Sequence, residues 1–273
     1  NGRERNTEKA VKWLKKAALN GDVHLKTIVA TLFLDGQLVS KNIPFAKKLL
    51  TEVAEMGYEG VEFAGPPQHP AEELKDTLDE VGLVCCSWHT PFNLVQDDTL
   101  EETIEFNKVL GNKSIIVPGI PGNLVDSRDK WLKMAKFFNQ LTEKLLPHGM
   151  FTGYHNHHTE FKPLDGEKPW DTFFGNTRKE VVMQLDTGNA VFGGADLVSI
   201  LEKYPGRAVS VHLKPYSKKA GKDDPRLGFR PVIGEDDTEW DDIFHLCETI
   251  GGTEWYIVEY ESDAHPPLKS VEL

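Results

Sequence analysis

The chain has 273 residues, 39% hydrophobic and 27% charged, enough apolar content for a substantial core and about the length of one α/β barrel. A formal net charge of −12 repels a phosphate backbone, so nucleic acid is excluded as an expected partner. No apolar run approaches the roughly 18 residues of a membrane-crossing helix, and NGRERNTEK lacks the apolar core of a signal peptide, so a cytoplasmic protein is expected. A first residue other than Met points to a trimmed start, ahead of which an export signal stays open.

In chain order, NTEKAVKWLKKAALNGD is a predicted helix, opened by Asn6 as cap and closed by Gly21. Residues 1–24 are thus set apart as a helical segment ahead of a barrel over 25–273. Short apolar runs predict strands over 27–33, 60–64, 83–87, 114–118, 151–156, 181–186, 208–213 and 255–260. Amphipathic stretches predict helices over 44–56, 71–80, 98–110, 128–146, 168–175, 195–203 and 239–249. Eight strands alternating with helices imply parallel βα units and a single-domain α/β fold, a (β/α)8 TIM barrel with an extra N-terminal helix. Because the chain stops where an eighth outer helix would begin, that N-terminal helix is expected over the seam between the last and first strands. A rival reading takes KAVKWLKKAALNGDVHLKTIVATLFLDGQLVSKN as resembling one unit of a Sel1-type helical repeat; a lone repeat cannot bury its own face. Cys85, Cys86 and Cys247 form no CxxC pair, and the first two are expected as buried strand thiols.

A barrel of this kind gathers function at the C-terminal ends of its strands. Several ends here are rich in His, Asp and Glu: Glu62 in VEFAG, His89 in SWHTP, His155, His157, His158 and Glu160 in GYHNHHTEF, Asp186 in QLDTGN, His212 in VSVHLK, and Glu259 and Glu261 in YIVEYE. Imidazole and carboxylate donors converging on one axis suit Mn²⁺, Co²⁺, Zn²⁺ or Fe²⁺ better than Ca²⁺ or Mg²⁺. Carboxylates buried together without a cation would be costly.

EMGYEGVEFAG, GYHNHHTEF, LDTGNAVFGGADLVSILEKYPGRAVSVHLKP and WYIVEYE resemble the xylose isomerase-like barrel family over roughly residues 25–270. That family includes sugar phosphate isomerases/epimerases, inosose dehydratases, sugar 3-epimerases, 3-dehydroshikimate dehydratases and endonuclease IV. The resemblance implies one metal ligand on each of the last four strands, commonly Glu, Asp, His and Glu; Asp186, His212 and Glu259 match the last three. The fifth predicted strand departs, with His155 where Glu is usual, so the ligand there is either His155, which we favour, or Glu160 reaching back.

Period-two alternation places His157 on the side of His155 as a candidate general acid or base, with Glu160 and Glu261 as rival carboxylates and Glu259 serving catalysis as well as the ion. Lys214 shares the face of His212, either to hold a substrate oxygen or to pair with a carboxylate. Glu62 and His89 are expected on the opposite wall, bonded to sugar hydroxyls, with Arg230 and Glu261 as further substrate contacts. Trp88, Phe92 and Phe229 either face a sugar ring or merely pack, and Gly234 and Glu235 match a family turn. No GxGxxG ahead of a helix and no P-loop is present, so no nucleotide cofactor is implied.

The expected activity is divalent-metal-dependent isomerisation or epimerisation of a sugar or keto-sugar by proton abstraction beside a carbonyl. The His-rich YHNH strand points to an alternative, a lyase or dehydratase acting on a 3-keto sugar, inosose or keto-glycoside. An endonuclease IV-like phosphodiesterase fits the acidic balance poorly, and a non-catalytic binding subunit is the remaining class. Pairing of barrels into a homo-oligomer is implied by the family resemblance.

Overall fold

Among the described residues short apolar runs become seven parallel strands, and the amphipathic stretches between them become the helices outside. Residues 43–260, 262 and 264 are described in a computed structural model of the chain. The predicted helix within 1–24, the strand expected over 27–33, the Sel1-like alternative and Glu261 lie outside the described residues. The strands are β1 (Gly60–Ala64), β2 (Val84–His89), β3 (Ser114–Val117), β4 (Phe151–His155), β5 (Val182–Asp186), β6 (Ser210–Leu213) and β7 (Trp255–Val258). Each pairs in parallel with the next, in the order β1-β2-β3-β4-β5-β6-β7.

The helices are α1 (Ile43–Glu55), α2 (Ala71–Val81), α3 (Leu100–Leu110), α4 (Arg128–Leu145), α5 (Pro169–Phe174), α6 (Thr187–Phe192), α7 (Leu197–Lys203) and α8 (Trp240–Leu246). Every strand-to-strand crossover carries at least one, which makes this a TIM barrel. Gly82 and Gly111 end α2 and α3 in the left-handed region, at φ 76° and 79°, and turn the chain into β2 and β3. Two elements differ from expectation. The helix predicted over 239–249 is α8 followed by a wider π turn at Cys247–Gly251, and α6, which was not predicted, starts directly after β5. Among the described residues no helix is long and apolar enough to cross a membrane.

The outer core is aromatic. Phe138 on α4 is fully buried and meets Phe173 of α5 edge-on at 4.9 Å, with Tyr154 and Trp131 packed around them. Burying such a side chain contributes roughly 1.5–3 kcal/mol, so this face holds the α4–α5 side of the barrel. Trp88, one of the aromatics considered for a sugar face, instead packs between Phe63 and Phe106, its indole N–H donating to the Gly65 carbonyl. Phe92 likewise packs on Phe137. Cys85, Cys86 and Cys247 are buried free thiols.

Candidate active site

Strand register sets the site. Asp186 at the end of β5 pairs with His212 on β6, and His155 at the end of β4 pairs with Gln184 on β5. Alternation along β5 turns Gln184 and Asp186 to one face, and both are fully buried. Glu259 follows β7 directly, its N–H donating to Leu213 at the end of β6. His155, Asp186, His212 and Glu259 each offer a ligand atom, all within 4.8 Å of one another, and His89, His155 and His212 form a second such group.

Local sequence fixes Asp186 firmly. It caps α6, its Oδ1 accepting from Asn189 N and its Oδ2 from Asn189 Nδ2, both at 2.7 Å. Asn156, just past β4, brackets its backbone: Asp186 N donates to Asn156 Oδ1 at 2.9 Å, and Asn156 Nδ2 donates to Asp186 O at 3.0 Å.

The electrostatics are those of a crowded, dry cluster. Burial pushes the Asp186 carboxyl up to about 7, against the pull of the Lys214 charge. Burial also acts on Glu259, but the hydrogen bond and charge of His212, with Lys214, hold it well below the usual carboxylate range. Burial would lift Glu62 too, yet the charges of His212 and His89 hold it at about 2. Burial would lower His212, but the charge of Glu62 and a 2.6 Å contact with Glu259 raise it to about 10. Burial, then the charge of His212, takes His155 well down. Lys214 Nζ lies 3.1 Å from Glu259 Oε1, 3.5 Å from Asp186 Oδ2 and 5.6 Å from the Phe229 ring centre.

Three carboxylates stripped of water fit a cation among them. His212 Nε2 is a buried nitrogen lying 2.8 Å from Glu62 Oε2 but out of line for a hydrogen bond. His155 Nε2 faces Asp186 Oδ2 at 3.7 Å, too far for a hydrogen bond and near the roughly 3–4 Å between two ligands of one ion. The donor set therefore fits a divalent metal.

The other predicted residues sort by position. Glu160 is buried and its carboxylate accepts from Tyr154 Oη at 2.8 Å, His157 N at 2.9 Å and Thr159 Oγ1 at 3.2 Å; the structure brings His155, not Glu160, into the cluster. His157 is exposed, with its ring 5.4 Å from that of His155. Glu62 and His89 reach the cluster from across the barrel and touch it directly: Glu62 Oε2 lies 3.1 Å from His89 Nε2 and 2.8 Å from His212 Nε2. Arg230 and Glu235 are exposed, and Gly234 takes the turn at φ 88°. Phe229 packs on Tyr216, which also touches Phe192, so an aromatic group flanks Lys214.

Gln184, Asn156 and Asn189 were not singled out from the sequence. A polar residue two positions before Asp186, inside the apolar run VVMQL, was the available signal for Gln184.

The family model of the xylose isomerase-like TIM barrel matches residues 50–272. An inosose dehydratase from Erwinia tasmaniensis is 26% identical, the match covering 80% of this chain and 83% of that protein. A solved sugar phosphate isomerase/epimerase from Parabacteroides distasonis superposes with a TM-score of 0.66 at 24% identity, over 83% of this chain and 85% of that one. The solved IolI protein, which holds a zinc atom, gives a TM-score of 0.62 at 14% identity over 82% and 88%.

Proposed function

Because the chain belongs to the xylose isomerase-like TIM barrel family, we propose that it is a divalent-metal-dependent enzyme acting on a small keto-sugar or keto-cyclitol. It removes a proton from the carbon beside the carbonyl and expels a β-hydroxyl, a dehydration. One observation carries this reading: four donors from four adjacent strand ends, His155, Asp186, His212 and Glu259, lie within 4.8 Å of one another. These four would hold the ion. When bound, a divalent cation polarises a carbonyl and acidifies the neighbouring C–H.

The chain's own groups supply the rest. The Lys214 ammonium, buried between Glu259 and Asp186, is placed to donate to an oxygen that gains negative charge. His157, reaching solvent beside His155, can accept a proton and pass it to water. The ring of Phe229 beside Lys214 helps keep water from that ammonium. Inosose dehydratase as the name of a relative matched over most of its length favours elimination. Isomerisation or epimerisation is the second reading, favoured by the presence of two separate proton carriers, His157 and Lys214, around one ligand set.

The test is elemental analysis of the purified protein beside Asp186→Asn and His212→Ala, followed by incubation of the loaded parent with inosose and 3-keto sugars in D2O. About one equivalent of Mn, Co, Zn or Fe in the parent, lost in both variants, is expected for a single-ion site. Loss of water from the substrate supports the dehydratase, and deuterium incorporation into an isomer supports the second reading. A parent that takes up no metal after reconstitution refutes both.

A further inference from the structure

Gln184 is fully buried and its side-chain amide has four partners. Its Nε2 donates to Glu62 Oε1 at 2.8 Å and to Ser210 Oγ at 3.1 Å, and its Oε1 lies 2.5 Å from His89 Nε2 and 3.0 Å from His155 Nδ1. Only one arrangement of hydrogens satisfies this set. A carboxylate accepts and cannot donate, so the amide nitrogen must face Glu62; turning the amide over would set two oxygens against each other at 2.8 Å. The amide oxygen then faces both imidazoles, and it too can only accept. Both ring nitrogens must therefore carry hydrogen. The second neighbour of His89 Nε2, Glu62 Oε2 at 3.1 Å, is also an acceptor and is compatible with a proton on that nitrogen. Ser210, whose hydroxyl both gives and accepts, decides nothing.

We infer that Gln184 is a positioning residue: with Glu62 as its anchor, it holds His155 in the Nδ1–H tautomer and so presents the lone pair of Nε2 to the ligand set. The opposite tautomer would set a lone pair against the Gln184 carbonyl at 3.0 Å and point an N–H toward Asp186, which removes the ring as a ligand. Glu62 thus governs a histidine it does not touch, through one amide. The effect on ion affinity rests on the metal reading above; the tautomer does not.

The experiment uses metal-free protein labelled with ¹⁵N-histidine, in which two-bond ¹H–¹⁵N correlations read the tautomer of each ring. Three proteins are compared: the parent, Gln184→Met, which keeps the volume but has no acceptor oxygen, and Glu62→Gln, whose amide can present either face to Gln184. The expected result is a single Nδ1–H form of His155 in the parent and a mixture of tautomers in both variants. Zinc affinity, measured by competition with a chromogenic chelator, is expected to weaken about 10–100-fold in both. If Gln184→Met fails to fold, Glu62→Gln decides, because it leaves Gln184 in place and a merely space-filling role for Gln184 would not move the tautomer. An Nε2–H form in the parent, or an Nδ1–H form that persists in the folded variants, overturns the inference. A parent that binds no zinc refutes the metal reading, and the tautomer result still decides this one.

Discussion

Replacing Asp186 with Asn separates the ion's contribution to stability from that of the protein around it. The helix cap survives, since Asn is as good a cap as Asp and its Oδ1 can still accept from Asn189 N. The second acceptor is replaced by an amide facing Asn189 Nδ2, which can turn over to meet it. What is lost is the negative charge that helps hold an ion. At a hundredfold excess over Kd, an ion bound only by the folded chain adds about 2.7 kcal/mol. In a chain of this size that is about 5–10 °C in Tm, and Asp186→Asn should lose it. With a chelator present the sign reverses, because the variant no longer buries a carboxylate that burial has pushed to about 7. Between the unfolded value of 3.8 and about 7 the folded chain holds a proton that the unfolded chain has released, so this group's contribution falls as pH rises through that window and stays lost above it. The chelated variant should therefore melt at or above the parent, by a margin that grows across the window. Differential scanning fluorimetry with and without zinc, repeated on both sides of the window, measures all of this. An Asp186→Asn protein that keeps the full zinc-dependent rise, or that melts well below the chelated parent, would show that Asp186 is a structural carboxylate and not a ligand.

Lys214→Met should retain bound metal, since it removes a cation beside Glu259 and Asp186, while turnover falls about 10²–10³-fold if the ammonium stabilises a developing oxyanion; metal content and kcat measured on one preparation check both. Glu160→Gln sets an NH2 against one of three donors and should lower stability by about 1–3 kcal/mol in urea unfolding with metal content unchanged, whereas full stability with abolished turnover would make Glu160 the proton acceptor. Arg207→Met removes the donors to the Val181 and Phe174 carbonyls and to the Thr177 hydroxyl, the last two keeping only their 3.4 Å bond to each other, for a loss of about 1–3 kcal/mol in the same assay. Because Arg207 precedes β6, at the other end of that strand from His212, the folded fraction should keep its kcat.

The seven described strands were readable because each is a short, largely apolar run, and the charged or imidazole residues near strand ends marked the proposed ligands: Asp186 closes β5, His212 is the penultimate residue of β6 and Glu259 follows β7. α6 was not, because DTGNAVFGG has the composition of a turn, and only the cap from Asp186 to Asn189 shows why one helical turn forms there. The choice between His155 and Glu160 lay beyond spacing, since both sit within GYHNHHTEF. The 3-10 turn at Thr159–Phe161 directs the Glu160 carboxylate onto Tyr154, which favours His155 in the proposed ligand set.

Gln184 marks the deeper limit. A neutral amide in an apolar strand carries no charge signal, and its partners lie 29, 95 and 122 residues away, at His155, His89 and Glu62. Position near strand ends put Glu62 and His89 at the barrel's inner wall, but it says nothing about the width of the space they enter. With β1 and β2 near enough to reach β6, a carboxylate read as a sugar contact meets two imidazoles and an amide, and both its oxygens are engaged inside the protein. A group so occupied shapes the ligand set more readily than it binds a hydroxyl. On the proposed reading substrate recognition falls to residues outside this contact set, and exposed His157 beside His155 and Phe229 beside Lys214 are the candidates.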